Sequence, residues 1–251
     1  MIRRIFMLSV ILACTAYCSA LATSKQEADE AYQKNDFETA IRLYEELVSA
    51  EGESAAVYYN LGNCYYKTGG IAKAILNYER ALLLAPGDAD TRFNLEMAKS
   101  KAVDKIIPTP EVFIVTWARS VVDSMSESSW SVLGIVCFIL VLAGAVMYIF
   151  GTSVWMKKVG FIAGIVLVII CILANLAARD QKSEIVRRNA CIVLSPSVTV
   201  KSTPDNSGTD LFVIHEGTKV FIDDDTMSEW KEVRLEDGKK GWMPASAIEA
   251  I

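Results

Sequence analysis

WSVLGIVCFILVLAGAVMYIFGTSVWMKKVGFIAGIVLVIICILANLAA, residues 130–178, decides how the rest of the chain is read. Its two apolar runs, 130–150 and 159–178, are separated by GTSVWMKK, residues 151–158. Each run reaches or approaches the roughly 20 residues that a helix needs to cross the hydrocarbon core of a bilayer. Together they predict a transmembrane hairpin. Because two crossings cancel, the soluble parts before and after the hairpin are expected on the same face of the membrane. Within the runs the one polar interruption is Asn175, near the outer end of the second, and there is no Asp, Glu, Lys, Arg or His. A transport or proton path needs such groups, so an anchor is expected instead. Gly134, Gly144, Gly160 and Gly164 should allow close packing of the pair or of partner helices, with Gly160 and Gly164 at the small-residue spacing of a helix contact.

Outward from the hairpin, Arg3 and Arg4 precede the apolar stretch 5–16, and Ala20-Leu21-Ala22 supplies small residues for cleavage, which predicts a secretory signal over 1–22. An uncleaved anchor and a lipidated Cys14 after Ile11-Leu12-Ala13 are the alternatives, and all three would export the module downstream. Charge alone does not orient the hairpin, since Lys157 and Lys158 mark the loop while Arg179, Lys182, Arg187 and Arg188 come after the second run. The signal places the loop in the cytoplasm and both soluble modules in the periplasm, as a multi-pass protein of the cytoplasmic (inner) membrane.

Of six cysteines, Cys14 and Cys18 fall in the signal, Cys137 and Cys171 in the spans, and Cys64 and Cys191 in different modules. No disulfide framework or metal spacing emerges, although a Cys64–Cys191 bridge is conceivable. There is no CxxC, no Gly-rich phosphate loop and no Ser/His/Asp set around the lone His215. No enzyme and no cofactor is expected. The net charge is −5, and acidic residues outnumber basic ones in both soluble modules, which disfavours nucleic acid as a partner.

In AAVYYNLGNCYYKTGGIAKAILNYERALLLAPGD, residues 55–88, the residues Tyr58, Leu61, Gly62, Tyr65, Ala74, Tyr78, Ala81 and Pro86 resemble the tetratricopeptide repeat, whose period is about 34 residues. One period earlier, Ala28, Ala40 and Tyr44 mark a weaker repeat over about 21–54, with Ser24 and Gly52 where the pattern has a large residue and a proline. A cap helix over about 89–105 comes next, with Phe93 and Leu95 expected inward, completing a module over 23–107. The resemblance implies a concave face built from the first helix of each repeat, carrying Asp29, Tyr32 and Gln33, then Tyr59, Asn63, Tyr66 and Lys67, then Phe93 and Met97. Asn63 and Lys67, one turn apart, could hold a peptide carboxylate. Equally, Tyr59 and Tyr66 could pack between repeats. Tyr32, Tyr59, Asn63, Tyr66 and Lys67 are the candidate peptide-binding residues.

Residues 108–129 read as a linker with an interfacial helix capped at Thr109 and Pro110, in which Phe113, Trp117 and Val121 recur at i, i+4 and i+8. A short helix packed on the repeats is the other reading. Ser128 or Ser129 is expected to cap the first span. After a linker over 179–189, residues 190–251 alternate in short β-branched strands broken by turns at 205–208, 216–217, 223–225 and 237–238. They resemble a bacterial SH3 domain, and that resemblance implies a groove for cell-wall peptide or protein segments with Phe221, Trp230, Trp242 and His215 as its candidates. The two tryptophans are also the bulk such a barrel needs in its core, and His215 reads as a surface strand residue.

The fold class is therefore a multidomain membrane protein: an all-α repeat module, a helical hairpin and a small all-β SH3-like barrel. The order signal, repeats, paired spans and SH3 domain resembles the BatE-type family of Bacteroides aerotolerance (Bat) proteins. That resemblance implies a scaffold beside Bat-family membrane proteins with von Willebrand A domains, in oxygen or oxidative-stress tolerance or envelope integrity. An envelope sensor that binds cell-wall peptide is the alternative.

Overall fold

The computed structural model describes residues 25–110 and 112–251, so the secretory signal expected over 1–22 lies outside the described residues. Chain contacts divide it into two compact units. The first joins the segments up to Leu82 and from Ala89 to Pro108 with Ala190–Ile251; the second comprises Leu83–Asp88 and Thr109–Asn189.

The first unit begins with helix α1 (25–33), then α2 (Phe37–Glu51), α3 (Ala55–Thr68), α4 (Ile71–Leu84) and α5 (Ala89–Lys101). Local chemistry punctuates them: Asp36 caps α2 by accepting from the Thr39 N–H at 3.2 Å, and Gly69 ends α3 in the left-handed conformation at φ 87°. Gly62 lets the paired helices meet, because a Cβ there would stand 2.5 Å from a ring carbon of Tyr78. Ala40, Tyr44, Ala74, Ile75 and Tyr78 fill the space between helices and are buried. On α5 the inward stripe is Thr91, Leu95 and Ala98. Phe93 is not inward as expected but 65% exposed, since it lies half a turn from that stripe.

The same unit holds seven antiparallel strands, β1 (Ala190–Val193), β2 (Ser197–Lys201), β3 (Asp210–His215), β4 (Lys219–Asp224), β5 (Trp230–Leu235), β6 (Lys240–Pro244) and β7 (Ile248–Ala250), in the order β3-β2-β6-β5-β4-β1-β7. Alternation puts Val193, Val200, Val220, Val233, Leu235 and Met243 into one core. Trp230 and Trp242 do not fill that core. Trp242 alternates with the buried Gly241 and Met243 and so faces outward, half-buried, as does Trp230 opposite Pro244. Aliphatic side chains of modest volume close this core without indole rings.

The second unit contains α6 (Phe113–Val122), α7 (Glu127–Phe150) and α8 (Val154–Arg187). Helices α7 and α8 share a mean hydropathy of 2.8 over their most apolar stretches and are long enough to cross a membrane. The turn between them is shorter than the sequence suggests, and Lys157 and Lys158 belong to the first turns of α8. Helix α8 also continues through the expected linker to Arg187. Ser126, rather than Ser128 or Ser129, caps α7. Helix α6 starts at Phe113, not at Pro110, because Val112 before it is extended, at φ −64° and ψ 131°.

Small residues bring α7 and α8 close at points along their seam, beside the Tyr148–Phe161 ring pair at 6.0 Å. Gly144 and Gly160 approach so closely that a Cβ on Gly160 would stand 2.9 Å from the Gly144 carbonyl, whereas a Cβ on Gly164 would meet open space. Gly134 makes room for Asn175, whose amide donates to the Cys171 carbonyl at 2.8 Å. Gly134, Gly144 and Gly160 serve contact within the pair.

Candidate functional site

Across α1 to α5 a hydrogen-bond set recurs with the repeat period of about 34 residues. In the first repeat Tyr44 donates to Asp29 at 2.6 Å, and Asn60 donates to the same Asp29 oxygen at 3.3 Å and to the Tyr44 hydroxyl at 3.1 Å. In the second, Tyr78 donates to Asn63 at 2.7 Å and Asn94 to the same oxygen at 3.0 Å. One polar side chain from each following helix therefore ties three helices together. Burial and the bond to Asp29 push the Tyr44 hydroxyl well above its ordinary pKa, so it remains a donor.

This arrangement assigns the sequence candidates different surroundings. The Asn63 carbonyl oxygen is engaged internally, so it is not free to receive a ligand donor. Tyr32 is half-buried, its ring edge-on to Phe37 at 5.6 Å. Tyr59 accepts from Asn94 at 3.2 Å and lies 6.2 Å from the Tyr78 ring. Tyr66 carries the Lys101 ammonium over its face at 4.1 Å, while Lys67 is exposed. Beside them on α5, Phe93 and Met97 expose apolar surface. The linking residues Asn60 and Asn94 escape a search for ligand groups, yet their spacing of one period is the signal that would find them.

A second cluster joins the repeats to the sheet domain. Strand register aligns Glu249, Ile192 and Lys219 on the outer face of β7, β1 and β4, and Ile192 is fully buried there. Helix α4 supplies the opposite charges: Arg80 reaches Glu249 at 2.9 Å and the Ala250 carbonyl at 2.5 Å, and Glu79 meets Lys219 at 2.7 Å. Lys99 of α5 lies 2.8 Å from the other Glu79 oxygen. Burial alone would raise the Glu79 pKa, but Lys219 and Lys99 outweigh it and hold the carboxyl lowered to about 2. Nearby, Asp104 accepts from the His215 backbone N–H at 2.6 Å, the His215 ring at 2.9 Å and the Thr218 hydroxyl at 2.8 Å. Burial would raise its pKa too, and the bonds from His215 and Thr218 lower it. His215 is thus half-buried against a carboxylate rather than a plain surface residue.

On the outer face of β4–β6, Phe221 stands opposite Arg234, whose guanidinium lies 5.2 Å from the ring centre, and Trp242 stands opposite Glu232. Phe221, Trp230 and Trp242 share this face, half-buried. Cys64 and Cys191 are free thiols, both buried, and burial pushes each up to about 11. Among the described residues no group of three His, Cys, Asp or Glu side chains could hold a metal ion.

Residues 25–89 match the family model described as tetratricopeptide repeat. Tetratricopeptide repeat protein 16 of Macaca fascicularis and that of Homo sapiens are each 30% identical over 81 residues, which is 32% of this chain and 9% of theirs. The chain therefore spans under a tenth of the length of these curated relatives. The segment carries tetratricopeptide repeats, a class of module that contacts other proteins and is typically not catalytic. Protein partners are implied by that class.

Proposed function

We propose that the chain is a membrane-anchored adaptor of the BatE type, with a repeat groove and an SH3-like domain offered together to periplasmic segments of partner proteins. The partners are Bat-family membrane proteins with von Willebrand A domains, and the process is oxygen or oxidative-stress tolerance or envelope integrity. The observation that carries this reading is the ion-pair cluster around Glu79. Lys99 precedes the hairpin in sequence and Lys219 comes after it, and two segments that flank a membrane insertion can pack only on the same face of the bilayer. Reporter fusions after Lys105, within 151–158 and after Ile251 should read outside, inside and outside; any other order defeats the reading.

Tyr32, Tyr59, Tyr66 and Lys67, with Phe93 and Met97, are the proposed peptide contacts. Purification in mild detergent should recover partners with the parent chain and lose them with Tyr59→Ala combined with Phe93→Ala. An unchanged partner set would remove the groove from the proposal. The second reading, an envelope sensor binding cell-wall peptide, is favoured by the common outer face of Phe221, Trp230 and Trp242. Titration of the full chain with muropeptides tests it, and absence of saturable binding ends it.

A further inference from the structure

We propose that α6 is a third membrane contact, a helix lying in the plane of the bilayer surface with its apolar face among the acyl chains. The inference rests on the reading of α7 and α8 as spans. Its ten residues are FIVTWARSVV, and none is buried against the protein. Phe113 is 82% exposed and Trp117 60%, and Ile114, Val115 and Val121 also expose large apolar side chains. At about 3.6 residues per turn these five residues, with Ala118 and Val122, occupy a little over half the circumference. Thr116, Arg119 and Ser120 occupy the remainder. An apolar arc this wide, left uncovered beside two apolar helices, fits a lipid monolayer: acyl chains on one side, headgroups and water on the other.

Three hydrogen bonds tether the end of the helix at the level where the spans begin. The Trp130 indole N–H, in the first turn of α7, donates to the Val122 carbonyl at 2.9 Å. The Gln181 amide on α8 donates to the same carbonyl at 2.8 Å and to the Met125 carbonyl at 2.7 Å. Gln181 is itself 6% exposed and belongs to the polar extension of α8, beyond its apolar stretch. Ser126, Glu127, Ser128 and Ser129 form the polar start of α7. The carboxyl end of α6 therefore coincides with the polar-to-apolar boundary on both long helices, the depth at which an amphipathic helix and a tryptophan are stable.

The partner is the phospholipid of the membrane that holds the hairpin, and the arrangement fixes the depth at which the chain enters α7. The test places the photo-crosslinker benzoylphenylalanine singly at Phe113, Trp117 or Val121 and at Thr116, Arg119 or Ser120 in the full chain, reconstituted in phosphatidylethanolamine and phosphatidylglycerol vesicles. After irradiation, peptides are weighed for lipid adducts. Expected are lipid adducts several-fold more abundant at the first three positions than at the second three. Protein adducts at Phe113 and Trp117, or no adducts beyond water quenching, would overturn the proposal. Control positions Ile139 and Ile169 report on the spans themselves: their failure to yield lipid adducts would defeat the membrane reading, whereas lipid adducts there without them at α6 would defeat this inference alone.

Discussion

Where the repeat helices meet the sheet domain, charge sets the geometry; where α7 meets α8, the absence of side chains does. In the first case Glu79 and Arg80 are adjacent on α4 and meet Lys219 and Glu249, on either side of the buried Ile192. Exchanging Glu79 and Arg80 would oppose like charges. In the second, Gly144 and Gly160 bring backbone to backbone and Ala174, Ala177 and Ala178 are buried along the seam. For the pair read as spans in the proposal above, lipid offers no hydrophobic advantage to helix association, so close backbone contact has to supply it. Water favours burying Ile192, but apolar burial has no direction, and ion pairs supply the specificity.

The largest expected effect lies inside the repeats, as a reference for both contacts. Tyr78→Ala removes a fully buried ring together with the hydroxyl that serves Asn63, and should cost about 3–5 kcal/mol. Hydrogen exchange of the full chain in detergent should show protection lost throughout α3–α5, with α7 and α8 unchanged. Loss of protection in all elements at once would mean that the two regions are a single cooperative body.

Next in size is Glu79→Gln, which leaves two lysines facing a neutral amide. Removing one partner of a buried pair costs about 3–5 kcal/mol. Lys99 and Lys219 retain partial exposure, so roughly 2 kcal/mol is expected here. Exchange should quicken in β1, β4 and α5 while the sheet core around Val233 stays protected. The hairpin counterpart is Gly160→Ile, where added bulk meets the Gly144 carbonyl; overpacking of this kind costs about 1–3 kcal/mol. It should quicken exchange in α7 and α8 without touching the Glu79 cluster, whereas Gly164→Ile, with open space around it, should do little.

The two regions are also unequally legible in sequence. The period of small and aromatic residues from Tyr58 to Pro86 points directly to helical repeats, and the length of the apolar runs to the hairpin, because both signals are local. The alternation after Ala190 gives strands, but which residues fill their core depends on volumes summed across seven strands, so the sequence leaves the tryptophans open between groove and core, and they are outside the core. Phe93 reads as inward and is not, because a single helix without its partner has no defined inward stripe. The Glu79 cluster joins residues more than a hundred positions apart on two kinds of secondary structure, and no spacing rule reaches that far. Asp104 and His215 stay hidden for the same reason: each is ordinary in its own segment, and their pairing exists only when the chain returns from the hairpin.

The smallest effect tests that returning contact through pH. The folded Asp104 carboxyl has a pKa below its ordinary value, because His215 and Thr218 donate to its charged form. A group lowered on folding stabilises the fold at pH above its unfolded pKa, about 3.9, and that contribution is lost as pH falls through the lower folded value. Asp104→Asn should therefore cost about 1 kcal/mol at neutral pH, the scale of one hydrogen bond to a charged group less what the amide oxygen retains. The gap between parent and variant should close on acidification through the window below about pH 4. Glu79 takes up its proton in an overlapping window, but both proteins contain it, so its effect cancels in the difference. Denaturant unfolding of parent and variant at matched pH measures that gap, and a gap that stays constant from neutral to acid pH would mean that Asp104 acts by shape and not by charge.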